Sequence, residues 1–374
     1  GWHLFRVIDI EPEVVRSFDE VRDEIRVDLA RNMAIDQLPE LAAALDDGIA
    51  AGDILEDAAA AMKSIEWRAI GPANMGGRVS DIDGLPGDPS TFYVSGADGG
   101  VFRTTNGGVT FDALFTDQKS YSVGALTIAP SDHNVLWLGS GEGDPRNSVG
   151  YGHGVYRSND GGDSWTNVGL DGTERIKRIV VHPGDPDTAL VCALGRQFGP
   201  NEKRGVFRTT DGGSSWQKVL YINEDTGCSD IDMDMSNPRI VYAGMWTFRR
   251  KPWRFDGGSG ETALYRSMDG GTSWKKLDGD GMPEGALARI GVSVAQSRPS
   301  TVYMMTETKD EGSLFRSDDR GDSWRMVNDE RNINFRPFYY SDVHVDPTNP
   351  DHLYSLSGRL FKSTNGGETF EQIG

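Results

Sequence analysis

Tyr156-Arg157-Ser158-Asn159-Asp160-Gly161-Gly162-Asp163-Ser164-Trp165 is the stretch that decides the fold. An aromatic–basic pair ends one strand. Ser158 and Asp160 carry short polar side chains that bond nearby amides and fix a tight turn. Gly161 and Gly162 supply positive φ at no steric cost. Ser164-Trp165 opens the next strand and buries a large ring. The pattern recurs at 102–111, 207–216, 265–274, 315–324 and 361–370. Its central acid or amide is Asn106, Asp160, Asp211, Asp269, Asp319 and Asn365, in steps of 54, 51, 58, 50 and 46 residues. So regular a period marks an array of like units.

Each unit holds two further strands around a Pro/Asp/Asn turn. Val181-His182-Pro183-Gly184-Asp185-Pro186 before Ala189-Leu190-Val191 is one case, and Asp346-Pro347-Thr348-Asn349-Pro350 before Leu353-Tyr354-Ser355 is another. Four short strands per unit make one blade of a β-propeller, where radial repetition protects the sheet edges. The predicted fold is therefore mainly β, six propeller blades over residues 65–374. Trp67-Arg68-Ala69-Ile70-Gly71 reads like the outer strand at Trp165–Gly169 but follows no such turn. It is expected to complete a blade whose other strands lie beyond Gly374, giving seven or more blades in the full protein.

Composition bounds the rest. Of 374 residues 47 are Gly, well above the usual ~7%. No run of ~18 apolar residues reads as a membrane-spanning helix. Two cysteines, Cys192 and Cys228, exclude a disulfide-dense scaffold and a four-cysteine zinc site. They are expected as free, buried thiols. A net charge of −19 argues against nucleic acid as partner. That charge is uneven: residues 1–66 carry 6 Lys/Arg and 16 Asp/Glu, against 32 and 41 in the remainder. The first 62 residues read as a separate unit, a small strand-plus-helix segment. Trp2 to Ile8 suits a strand. Ser17-Phe18-Asp19-Glu20 is a capping box, and Phe18, Val21, Ile25, Leu29 and Met33 line one helical face. The chain starts at Gly1 and is expected to be a fragment cut at both ends.

Two resemblances follow. The repeated turn is the Asp-box, or BNR, signature. Together with Trp67–Pro72, Gly76-Gly77-Arg78-Val79, Gly141-Glu142-Gly143-Asp144-Pro145-Arg146-Asn147-Ser148, Gly195–Asn201 and Arg249–Trp253, it makes residues 65–374 resemble Asp-box propellers related to the sortilin N-terminal domain. These include exported bacterial proteins labelled glycosyl hydrolase or BNR-repeat. Gly1-Trp2-His3-Leu4-Phe5-Arg6-Val7 with Ser17–Ile25 resembles the end of a periplasmic parvulin-type peptidyl-prolyl isomerase. That resemblance implies an active-site role for His3 alone, with most of the isomerase domain missing. Both imply an extracytoplasmic protein.

Candidate sites come from register and loops. The inner strands align aliphatic Ile82, Leu126, Ile179, Ile231, Val292 and Val343, which are expected to pack between blades. Asp81, Asp83, Asp230, Asp232, Asp342 and His344 flank that position and are expected near the axial channel. Facing carboxylates repel, so a divalent cation, Arg178 or water would accompany them. Asp81, Asp230 and Asp342, with Glu142 and His3, are the catalytic candidates, and the five aspartates are the metal candidates. No other cofactor is called for. A sialidase site needs three converging Arg with a Tyr/Glu pair. Arg78, Arg178 and Arg289 share no register, and Tyr339 and Tyr340 form no identifiable pair with Glu142. The binding candidates are Arg78, Arg178 and Arg289, at the starts of inner strands, and Arg146, Asn147, Arg196, Trp246 and Trp253, on the long loops.

The leading functional expectation is a non-catalytic recognition module that binds protein, peptide or glycan at the loop face and channel mouth. The alternatives are a glycoside hydrolase using channel carboxylates and an isomerase–propeller fusion joined near residues 62–67.

Overall fold

The structure, a computed structural model, describes residues 78–146, 148–308, 313–339 and 342–374. The chain divides at Ile70/Gly71 into two units, and the described residues belong to the second. The 1–62 segment with His3, the strand at Trp67, Asn147 and Tyr340 lie outside them.

The described residues of the second unit form six antiparallel sheets with strands paired in chain order. Their innermost strands are Val79–Gly84, Val123–Ile128, Ile176–Val181, Thr226–Met233, Ile290–Val294 and Asp342–Val345. Each packs on the next. This is a six-bladed β-propeller, and the one helical piece among the described residues is the turn Arg331–Asn334. Blade 4 carries an added hairpin, in which Val241–Lys251 folds back on Arg254–Gly257.

The register read from sequence sets the packing. Leu126, Ile179, Ile231, Val292 and Val343 are at most 3% exposed. Each such burial is worth about 1.5–3 kcal/mol. Ile82 departs from this: it is 60% exposed, because among the described residues no sheet covers that face of blade 1.

The six turns are built alike. In the second, Ser158 Oγ donates to Asp160 Oδ1 and accepts the Gly162 amide, while Asp160 Oδ1 accepts the Ser164 amide at 2.9 Å. The first glycine donates to the neighbouring Pro/Asp turn, as Gly161 does to Asn134 O and Gly366 to Asp351 O. That glycine has φ 69–73 in five turns; Arg320 holds φ 64 in the remaining one. These turns also fasten the preceding blade. Tyr93 and Arg103 donate to Gly161 O, Arg208 to Gly270 O, and Tyr242 and Arg266 to Arg320 O. Tyr354 and Lys362 hold these positions in blade 6, where Lys362 Nζ lies 5.8 Å from the Tyr354 ring.

Cys192 and Cys228 form a disulfide joining blades 3 and 4, contrary to the expected free thiols. Adjacent blades bring their Cα atoms to 5.0 Å, inside the bridging range. Across 36 residues of sequence the link stabilises by about 3–4 kcal/mol in a chain-entropy account.

Candidate functional site

Strand direction sorts the molecule into two ends. Inner strands begin at one end and run toward the Pro/Asp turns. The six repeated turns bond those Pro/Asp turns and so share their end. The long connections therefore gather at the other end, the loop face. Exposed aromatic rings concentrate there. Tyr121, Tyr151, Phe198, Tyr221, Trp253, Phe335 and Phe338 all sit on loop-face connections; Phe111, on a repeated turn, is the exception among the described residues. Trp253 tips the extra hairpin at 81% exposure. Trp246 does not join them. It is fully buried, stacked on Phe248 at 4.8 Å with Phe255 beside it, so the expected role in stacking a ligand fails. A tryptophan in a strand that continues past the blade meets its own hairpin before it meets solvent.

The channel carboxylates are committed to the fold. Asp81 Oδ2 accepts the Leu126 amide at 3.0 Å, and Asp83 Oδ2 accepts that of Ile128 at 2.8 Å. Asp230 and Asp232 do the same for Val292 and Val294 of blade 5. Each acid thus bonds a backbone amide of the following blade. Arg178 Nε donates to Asp230 Oδ1 at 2.6 Å. Among the described residues no three His, Cys, Asp or Glu side chains are grouped to share a metal ion.

Burial raises the pKa of Asp81, Asp83 and Asp232, the last two to about 6, with amide bonds opposing. An acid whose folded pKa lies above its unfolded value binds a proton more readily in the folded state. Folding is then favoured as pH falls through that window. The Tm is expected to rise by a few degrees between pH 7 and pH 5, and Asp83→Asn with Asp232→Asn is expected to flatten the rise. Differential scanning calorimetry across that range checks it, and a Tm falling steadily toward pH 5 refutes it.

Asp342 behaves differently. Burial pushes it up, but Lys177 and Arg289 more than offset that and hold it well below the usual carboxylate range. Lys177 Nζ stands 3.1 Å from Asp144 and 3.4 Å from Asp342. Arg289 Nη2 stands 3.0 Å and 3.4 Å from the same two. Arg289 also donates to Tyr339 O at 2.5 Å and is 1% exposed. Blades 2, 3, 5 and 6 meet in this cluster, which places Arg289 in the interior and not on a binding surface.

Beside it lies a second cluster that sequence reasoning caught only in part. Arg78 grips Glu142 with both arms, Nε to Oε1 at 2.8 Å and Nη2 to Oε2 at 2.7 Å. The same Nη2 donates to Asp98 Oδ2 at 3.0 Å. Glu142 is 2% exposed and Asp98 55%. Burial raises the Glu142 pKa, and Arg78 opposes it. Gly150 permits the arrangement: a Cβ there would come within 2.1 Å of Asp98 Oδ1. Asp98 was not a candidate, since Ala97-Asp98-Gly99-Gly100 reads as an ordinary turn. The signal was its place in the chain, where blades 2 to 4 carry long loop-face inserts. The remaining candidates scatter. Arg146 lies 5.9 Å from the Tyr339 ring, and Arg196 pairs with Glu174 at 2.8 Å.

No family model matches the chain. It is similar to a xyloglucanase of Acetivibrio thermocellus, 23% identical over 346 residues that cover 82% of this chain and 39% of the relative. It is also similar to a xyloglucanase of Paenibacillus, 25% identical over 387 residues, 90% of this chain and 35% of that one. The chain thus spans less than two fifths of the length of these curated relatives. A solved GH74 enzyme of Niastella koreensis shares the fold, with TM-score 0.57 and 19% identity over 77% of this chain and 45% of its own. Relatives that carry enzyme names over most of this chain overturn the expectation of a non-catalytic recognition module.

Proposed function

We propose that this chain is the propeller part of an extracytoplasmic glycoside hydrolase that cleaves a xyloglucan-type β-glucan laid across the loop face. The observation carrying this reading is the alignment with xyloglucanases over 82% and 90% of the chain. The loop face supports it, because it offers exposed rings to stack on sugars and a solvent-facing carboxylate. The buried disulfide supports an oxidising compartment. No helix among the described residues is long and apolar enough to cross a membrane.

Asp98 is the residue assigned to the chemistry. It is the exposed carboxylate, held by one N–H of Arg78, whose orientation Glu142 fixes. Glu142 is a positioning residue: it is closed off from solvent and both its oxygens are taken. Hydrolysis needs a second carboxylate across the scissile bond to complete the acid–base pair. The channel acids do not fit that part, since their oxygens bind the next blade or buried cations. The test is reducing-end release from soluble xyloglucan by the full-length polypeptide. Release from xyloglucan above that from unbranched β-glucans is expected; no release from either sinks the reading.

A seventh blade is part of the proposal. Ile82 and Val79 of blade 1 are exposed where equivalent residues elsewhere are covered. Tyr354 and Lys362 of blade 6 occupy positions that in other blades grip the following turn. Both faces suit one more sheet of the same kind.

A further inference from the structure

Arg103, Arg157, Arg208, Arg266 and Arg316 hold one position in the third strands of blades 1 to 5, at the junction with the following blade. Four of the five meet a carboxylate there. The next repeated turn supplies it in two cases: Arg103 pairs with Asp163 at 3.0 Å and Arg266 with Asp322 at 2.9 Å. The next Pro/Asp turn supplies it in two others: Arg157 pairs with Asp187 at 2.5 Å and Arg316 with Asp351 at 2.7 Å.

Arg208 of blade 3 receives neither acid. Thr272 stands in the repeated turn where Asp163 and Asp322 stand in theirs. Arg239 stands where Asp187 and Asp351 do: Gly270 donates to Arg239 O as Gly212 does to Asp187 O and Gly366 to Asp351 O. Arg208 Nε donates to Gly270 O at 3.0 Å, and its two Nη nitrogens have no partner among the described residues. The Arg239 guanidinium, on an exposed residue, has none there either. The packing at the glycine differs accordingly. A Cβ on Gly212 or Gly366 would strike the arginine Nη1 at 2.3 or 2.4 Å, whereas one on Gly270 meets only Pro238 O, at 3.9 Å.

A cavity of about 190 Å³ opens at this junction, on the end of the propeller opposite the loop face. Arg208, Arg239, His182, Thr188 and Asp269 line it. His182 Nδ1 accepts the Gly184 amide at 3.1 Å, which leaves the proton of the neutral ring on Nε2 as a donor. Asp269 is committed to its own turn. Its oxygens accept the Ser267 and Ser273 hydroxyls and the Thr272 and Ser273 amides. Those bonds, from Ser273 above all, hold its carboxyl down at about 2. Two guanidiniums against one satisfied acid leave the cavity positive, in a chain of net charge −19.

The other four junctions show what such a guanidinium takes. Its planar fork matches a carboxylate, and the cavity has room for one on a short carbon stem. We infer that this cavity binds a single carboxylate brought from solution or by a second protein, as a small free acid or an aspartate or glutamate side chain. The inference is independent of the hydrolase reading. The test is a shift titration of the Gly270 amide by ¹⁵N NMR at constant ionic strength. The probes are sodium acetate and N-acetyl-aspartate N-methylamide. A saturable shift is expected with at least one of them. Tighter binding of the aspartyl probe assigns the site to an acidic side chain; acetate binding as tightly or more so assigns it to a small acid. Arg208→Gln is expected to weaken binding at least tenfold. Arg239→Asp and, separately, Thr272→Asp place an acid where the other junctions carry one, and each is expected to abolish saturation. Both positions are exposed, so a Tm at or above the parent's is expected and confirms folding. No saturable shift with either probe overturns the site, as does parental binding by both folded aspartate variants.

Discussion

Asp98→Asn is expected to slow hydrolysis of xyloglucan by roughly 10²- to 10⁴-fold, the range of a lost general acid or base. Stability should hardly move. Asp98 meets Arg78 at the surface at 3.0 Å, and such exposed pairs contribute about 0–1 kcal/mol. Asparagine keeps the shape and still offers an oxygen to Arg78, but cannot take up the proton. Glu142→Gln should differ. It weakens the two-armed grip on Arg78 in a buried place, so Tm and kcat fall together. The measurements are kcat/KM by reducing-end release and Tm on the same preparations. An Asp98→Asn protein with near-normal kcat/KM removes Asp98 from the chemistry.

The sequence carried the scaffold because its information there is local. Ser158, Asp160, Gly161 and Gly162 close their turn within five residues, and the chain repeats the device six times. The inner-strand register was legible for the same reason, since an aliphatic residue recurs at a fixed distance from each Pro/Asp turn. What stayed hidden depends on contacts between blades. Arg78 and Glu142 stand 64 residues apart, and Arg178 and Asp230 are 52 apart. No spacing rule links them. Asp81 and Asp230 were rightly placed on inner strands, but the amides they bond belong to the following sheet, which a strand read alone does not reveal. Cys192 and Cys228 read as free thiols because the 5.0 Å between their Cα atoms is set by the packing of two blades, not by their 36-residue spacing. Trp246 looked like a loop aromatic because the hairpin that buries it, closed by Phe255, could not be foreseen from composition.

Arg289→Ala is expected to be the most destabilising single change among the candidate residues, at about 3–5 kcal/mol. The loss is large because it strands two acids in the interior. Asp144 and Asp342 would face each other with Lys177 alone between them, and Tyr339 O would lose a donor. The sign of its pH dependence follows from Asp342. Lys177 and Arg289 depress its folded pKa, so its contribution is present above the unfolded value near 4 and fades as pH falls below that. Without Arg289 that depression shrinks, and protonating Asp342 relieves the variant more than the parent. The gap in stability is therefore expected to be widest near pH 7 and to narrow toward pH 4. Denaturant unfolding at both pH values measures it. An Arg289→Ala protein with parental stability at pH 7 but weakened glycan binding would return Arg289 to the ligand surface. The same variant reaches the chemistry indirectly, since Asp144 lies two residues from Glu142, and a slackened loop there would loosen Arg78 and lower kcat even under conditions where the protein stays folded.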